Sequence, residues 1–283
     1  MVDQAHRLLD WEYMVRVLER TTPIHQPRTH TGYHGFTYGY LVGEIIQRVT
    51  GRTFRDVVRS DLAEPLGLDG LFIGAPPEAV DRAAQLIWPR GGVIRLLEYA
   101  EGRDGPRSVR RLHGVLRTLR IPVDLPSILD SLAPPGLAGF DFSCADTLAA
   151  SIPAANRLFT ARSLARLYAA PPPGGTLDGV RLLSAETLAR ATQVQPRAPG
   201  RVVIPFEMGW RLGYHGVFTT RGVPRAAFGH FGFGGSGAWA CPRRELAVAL
   251  VVNSGMGTPF GDLRILRVSG AALASVDGRP RAA

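Results

Sequence analysis

The sequence predicts an α/β protein of the α+β kind: a mainly helical part over residues 1–200, then an antiparallel sheet and a closing helix over residues 201–283, all in one domain. Three observations predict it. Apolar residues recur at three- and four-residue intervals through much of the chain before Gly200, the period of helices that bury one face. After Gly200 the pattern shortens to strand-length apolar runs broken by glycine, and Gly237–Cys241 is set to pair with Glu245–Asn253 through the turn Pro242-Arg243-Arg244. Last, Asp262 to Val276 is an amphipathic helix able to cover one face of that sheet.

Leu8 to Arg20 carries Leu8, Leu9, Trp11, Met14, Val15 and Leu18 at helical spacing, and Pro23 and Pro27 end the pattern. Thr31 to Gly51 holds the strongest helical signal. Leu41, Val42, Ile45, Ile46 and Val49 form an apolar stripe, Thr37 stands at the N-cap position, and Gly51 falls where a left-handed C-terminal cap belongs. Tyr38 then lies in the first turn, beside free N–H groups and the positive end of the helix dipole. On the residues alone, Tyr33, Tyr38 and Tyr40 serve equally well as packing at the helix entrance.

A second helix from Thr53 to about Glu64 turns Phe54, Val57, Val58 and Leu62 inward and stops at Pro65; Leu71 to Ile73 is a short strand. Residues 74–141 lose their periodicity under frequent Pro and Gly and read as a variable insertion, able to wall a pocket, with one helical piece around Val109 to Leu119. Asp146–Leu148 and Ala161–Ala170 are helical, the latter closed by Pro171-Pro172-Pro173-Gly174-Gly175, and Ser184–Thr192 is a helix with Ser184 as N-cap. Glu207–His215 and Ala226–Gly232 are strands.

With 283 residues, 45% of them hydrophobic, the chain can bury a full core. Its strongest late apolar run, Leu246 to Val252, is far shorter than the roughly 18–20 residues of a membrane span, so no integral membrane segment is expected. The first twenty residues mix acids with apolar positions and lack the order of a secretory signal, which suggests a cytoplasmic protein unless a missing N-terminus carried one. Cys144 and Cys241 match no metal or redox spacing and read as two buried free thiols; no metal or organic cofactor is implied. A formal charge of +9 invites a nucleic-acid reading, but the arginines are scattered, so no nucleic-acid partner is expected. Only Gly102 to Arg120 is locally basic, as a solvated loop or lid or as a phosphate-binding patch. All 33 basic residues are arginine; the chain contains no lysine.

Polar chemistry gathers a second time at Phe228-Gly229-His230-Phe231-Gly232-Phe233-Gly234-Gly235-Ser236-Gly237. Within it, residues 232–237 satisfy G-x-G-x-x-G, but a dinucleotide site needs a helix to open there, and a strand follows instead. Gly235-Ser236-Gly237 also fails as a nucleophile elbow, because Ala238 occupies the position of the final glycine.

Together, Tyr33 to Glu44, Arg48-Val49-Thr50-Gly51, Glu64-Pro65-Leu66-Gly67-Leu68 and His230-Phe231-Gly232 resemble the serine beta-lactamase-like hydrolases, the family of penicillin-binding proteins, class C beta-lactamases and related esterases. The resemblance covers most of residues 8–70 and 155–276. It implies the beta-lactamase-like fold and hydrolysis of a small ester or acyl substrate through an acyl-enzyme. It makes Tyr38 the tyrosine that moves the nucleophile's proton, and His230 the group that binds or polarises the substrate's carboxylate or carbonyl. Gly232, Phe233 and Gly234 become the substrate-facing stretch, with the Phe233 amide as one oxyanion donor. Such donors stabilise charge that develops in the transition state, by roughly 3–4 kcal/mol each.

Two departures qualify the likeness. Tyr38-Gly39-Tyr40 lacks the asparagine of the family's Tyr-x-Asn, which favours esters over beta-lactams. The nucleophile motif Ser-x-x-Lys is absent: none of the 37 residues before Tyr38 is serine, and arginine, with a pKa above about 12, has no basic form to replace lysine. The expectation is therefore a chain shortened at its N-terminus, lacking the first strand and the nucleophile helix, and inactive or nearly so. It would complete its fold by self-association or through a partner chain. The alternative is a non-catalytic relative that binds a ligand or partner through the same cleft.

Overall fold

The computed structural model describes residues 2–87, 105–119, 125–170, 176–196, 200–202, 204, 207–232, 234–255 and 263–278. The N-terminal stripe folds in two pieces, a 3₁₀ turn over Ala5–Leu9 and helix α1, Trp11–Arg20. Asp10 makes the break, its carboxylate accepting from the Tyr13 N–H to cap α1. A short strand β1, His30–Gly32, leads into helix α2, Thr37–Thr50, which ends at Gly51 with φ +68° as the sequence predicts.

Two expectations for α2 are corrected. Phe36 is the N-cap; Thr37 is already helical, and its hydroxyl pairs with His34 Nδ1 at 2.9 Å. The apolar stripe faces outward, with Ile45 63% and Val49 80% exposed and Leu41 and Val42 also open. The face that packs holds Gly39, Tyr40 and Gly43. A Cβ on Gly39 would stand 2.8 Å from Pro153, and one on Gly43 2.6 Å from the Trp11 ring. Small residues thus let α1 and the 153 region close on the helix and bury Tyr40, whose hydroxyl donates to the Leu8 carbonyl.

Helix α3, Phe54–Val58, capped by Thr53, continues as a π turn over Arg59–Ala63. Strand β2, Leu71–Ile73, pairs antiparallel with β3, Arg157–Phe159, a strand that three residues of sequence could not reveal. Between them come α4, Pro77–Val80, then α5, Gly105–Thr118, matching the predicted helical piece, then α6, Leu125–Leu132, which was not predicted, and α7, Ala145–Ala149. Thr160 caps α8, Ala161–Ala169; the Pro-Gly run predicted to close it, residues 171–175, lies outside the described residues. A two-residue hairpin, β4 Thr176–Leu177 and β5 Val180–Arg181, precedes α9, Ala185–Thr192, whose Ser184 cap accepts from the Thr187 N–H at 3.0 Å. Strand β6, Gly200–Val202, returns to pair in parallel with β1.

The main sheet has the order β10-β9-β8-β7 and is antiparallel throughout: β7 His215–Gly216, β8 Phe228–Phe231, β9 Gly237–Cys241 and β10 Leu246–Leu250. Of the strand predicted over Glu207–His215, only His215 is extended into the sheet. Gly209 and Gly213 take φ of +60° and +81°, and the Glu207 carboxylate accepts from the Gly209 N–H, so the segment coils. Alternation along β9 and β10 separates large from small side chains. Trp239, Cys241 and Val248 join Ile265 and Leu273 of α10, Leu263–Asp277, in one core, where Trp239 Nε1 donates to Ser269 Oγ at 2.8 Å. Ala238, Ala240, Ala247 and Ala249 face the other way, and α8 lies across that side of β9 and β10. Both cysteines are free as expected, but only Cys241 is buried; Cys144 is exposed at the start of α7. Among the described residues no helix is long and apolar enough to cross a membrane.

Candidate active site

Tyr38 is half exposed in the first turn of α2, and its hydroxyl lies 3.7 Å from the point a Cβ on Gly213 would occupy. Gly213 opens the tripeptide Gly213-Tyr214-His215, which runs from the mouth of α2 into β7. The Tyr214 ring meets Phe228 at 5.0 Å and Tyr168 of α8 at 6.0 Å. Buried His215 accepts the Phe231 N–H on Nε2 at 3.0 Å, which leaves the proton on Nδ1, where it donates to the Gly216 carbonyl at 2.7 Å. His230 stands one residue before Phe231, its ring 5.2 Å from that of His215. Tyr38 and His230, nominated from stretches almost 200 residues apart, are therefore joined by three consecutive residues.

The glycine-rich turn after His230 is tight. The Gly232 N–H donates to the Ser236 carbonyl at 2.8 Å, and the Gly232 carbonyl accepts from Gly235 at 3.1 Å, so the Gly232 amide is already engaged. Gly234 faces open space. Phe233, whose amide is the nominated oxyanion donor, lies outside the described residues.

Burial sets the protonation states. It pushes the His230 pKa down to about 3, helped by the neighbouring His215 and by the charge of Arg157, so the ring is a neutral imidazole at pH 7. Burial lowers the pKa of His215 as well, against the opposing pull of its hydrogen bond to Gly216. Tyr33, Tyr168 and Tyr214 are all raised by burial and stay protonated; the charge of Arg157 works against this at Tyr33 and Tyr168. The site consequently offers hydroxyl and imidazole N–H donors, with the positive charge of Arg157 near enough to act on them. Beside His230 opens a cavity of about 240 Å³ whose walls include Tyr33, Trp210, His215, Phe218 and Leu266. Among the described residues no group of His, Cys, Asp and Glu is arranged to hold a metal ion.

Sequence reasoning missed Arg157, Tyr168, Trp210, Tyr214 and His215. A polar Tyr-His pair next to a glycine inside an apparent strand was the available signal for two of them, and it was absorbed into the strand assignment.

An antiparallel sheet with a terminal helix on one face, a His-x-Gly motif at the end of an inner strand and a helix-borne tyrosine beside the segment that leads into the edge strand is the arrangement of the beta-lactamase-like fold. The chain belongs to the beta-lactamase family, whose sequence profile matches residues 2–272. It is 35% identical over 226 residues to the esterase/beta-lactamase LipL of Mycobacterium tuberculosis (strain ATCC 25618 / H37Rv), covering 79% of this chain and 48% of that protein. A penicillin-binding protein homolog from Caulobacter crescentus superposes with a TM-score of 0.71 at 33% identity, over 95% of this chain and 65% of its own. A family VIII carboxylesterase superposes with a TM-score of 0.76 at 26% identity, over 97% and 66%. The chain thus spans about half the length of the curated relative and about two thirds of each of these structures.

Proposed function

We propose that these 283 residues carry the acyl-binding part of an esterase-type serine hydrolase, with the attacking serine and its lysine supplied by polypeptide outside them. The observation that carries the reading is the junction of Tyr38 and His230 through Gly213-Tyr214-His215. In such a reaction the serine hydroxyl attacks the ester carbonyl and passes its proton toward the Tyr38 hydroxyl. The alcohol then leaves with a proton, and water releases the acid from the acyl-enzyme. Neutral His230 suits a hydrogen bond to the carbonyl better than an ion pair with a carboxylate, and Tyr40 in place of the family asparagine points the same way, to carboxylic esters.

The outward apolar stripe of α2 supports the rest of the reading. Leu41, Val42, Ile45 and Val49 begin one helical turn from Tyr38 and form the kind of exposed patch that another segment covers. A segment that carries Ser-x-x-Lys and packs on this stripe would bring its serine to the tyrosine. The second reading, a ligand-binding relative without catalysis, is favoured by the absence of lysine from the chain.

Turnover of a p-nitrophenyl ester separates the two. The chain alone should show almost none. Fused to, or mixed with, a segment bearing a Ser-x-x-Lys helix it should gain turnover, and Tyr38→Phe should then lower kcat by about 10²–10⁴. Ligand binding with no gain of turnover in the fused chain supports the second reading.

A further inference from the structure

Helix α5 has a makeup that the cleft does not use. From Gly105 to Leu119 the sequence reads GPRSVRRLHGVLRTL, with four arginines and no acid. Val109, His113 and Leu116 are half-buried, and α6 packs against the helix. Leu112, Val115 and Leu119 follow at offsets of three and seven residues, so they share a second face. That face is open: the three side chains are 48%, 54% and 63% exposed. The Leu119 N–H donates to the Val115 carbonyl at 3.0 Å, which keeps the stripe helical to its last residue.

The charges stand around this stripe. At about 100° per residue Arg111 borders it, about 40° round the helix from Val115, while Arg110 and Arg117 fall on the opposite side. All three are exposed, and among the described residues none has a hydrogen bond or an ion pair. The outward stripe of α2 differs in this respect, because its one arginine, Arg48, is paired with Glu19 and Glu44.

Three aliphatic side chains bury far less than the roughly 800 Å² per partner of a stable protein interface. A nucleic-acid backbone would engage the arginines and leave the stripe in water. A lipid surface satisfies both: the apolar side of an interfacial helix sinks about 5–10 Å into the headgroup boundary, and its cations are drawn to anionic headgroups.

We propose that α5 docks the protein on an anionic lipid surface. Leu112, Val115 and Leu119 insert below the headgroups, Arg111 lies among them, and Arg110 and Arg117 add attraction from about a helix diameter away, close to one Debye length at about 0.1 M salt. The inference is independent of the acyl-transfer reading, since none of these residues lines the cavity beside His230.

The test is sedimentation of the unmodified 283-residue chain with vesicles of phosphatidylcholine alone and of phosphatidylcholine with about one third phosphatidylglycerol. Binding to the anionic vesicles should be at least about tenfold tighter in about 0.05 M salt, and should fall about tenfold in about 0.5 M. Arg111→Gln should weaken it about fivefold, and Arg110→Gln and Arg117→Gln about twofold each. Leu112→Gln combined with Val115→Gln should weaken it about tenfold and leave the salt dependence in place. Because these side chains are exposed, every variant should keep the denaturant midpoint of the unmodified chain; a lowered midpoint would show the stripe packed within the protein and overturn the proposal. Equal binding to both kinds of vesicle, binding indifferent to Arg111→Gln, or binding indifferent to the paired Leu112 and Val115 change overturns it as well. So does an affinity for duplex DNA equal to that for the anionic vesicles.

Discussion

Lowering the pH from 7.5 to 5.0 should destabilise the chain through the two histidines at the sheet edge. A histidine whose pKa is lower folded than its unfolded value of about 6.5 binds a proton more readily when unfolded. Its contribution to stability is complete above that value and is lost as the pH falls toward the folded one. For His230, held near 3 chiefly by burial, the window runs from about pH 6.5 down to about 3. Proton linkage carried to pH 5 gives about 2 kcal/mol, and any folded value below about 4 gives nearly the same, because the ring is still neutral there. Water reaching the ring through the cavity makes this the upper figure. Buried His215 shifts in the same direction and adds to it.

Asp61 stays out of this window: held at about 2 through its bonds to Arg52 and Ser60, it contributes above its unfolded value near 3.8 and loses that contribution only as the pH falls toward 2. Denaturant unfolding at four pH values between 7.5 and 5.0 measures the effect. The His230→Gln variant, which cannot titrate, should flatten the profile by about 2 kcal/mol. A level stability profile in the unmodified chain, or an unchanged slope in His230→Gln, would refute the claim that a neutral imidazole is built into this site.

Asn156 should matter to the fold far more than its position in an irregular segment suggests: its buried amide accepts from the Ile152 N–H and donates to the Thr147 and Ala150 carbonyls. Asn156→Ala leaves those backbone groups unpaired and should cost about 2–4 kcal/mol in chemical denaturation, while a loss under about 0.5 kcal/mol would show that the loop holds without it. On α2, the paired change Ile45→Gln and Val49→Gln should alter folding stability by less than about 0.5 kcal/mol each and should reduce self-association in sedimentation velocity. A large loss of stability there would mean that the stripe is buried after all.

Elements with strong local signals were legible. Gly51 at the end of α2, Thr53 and Ser184 at helix starts, and the β9–β10 hairpin follow from capping and alternation, which act over a few residues, whereas the Asp10 cap that splits the N-terminal stripe went unread. The three-residue strands β1, β3 and β6 were not legible, because pairing partners up to 170 residues away decide them, and the local hairpin β4–β5 is too short to show alternation. The α2 stripe shows the limit most clearly. Periodicity announced that Leu41, Ile45 and Val49 share a face, but only the neighbours decide which face packs, and Trp11 and Pro153 took the glycine side. At the site, Tyr38 and His230 stood out through family motifs. His215 and Tyr214 reach it through the positive-φ glycines that coil residues 207–214, a geometry that alternation misread as strand, and Tyr168 reaches it from α8 through its ring contact with Tyr214.

The central claim is that the cleft is built for acyl transfer while the attacking hydroxyl comes from elsewhere. A fluorophosphonate probe followed by peptide mass spectrometry addresses it most directly. The 283-residue chain should carry no phosphonylated serine, and the chain joined to a Ser-x-x-Lys segment should carry one, on that segment. An adduct on any serine of the 283 residues alone would contradict the account.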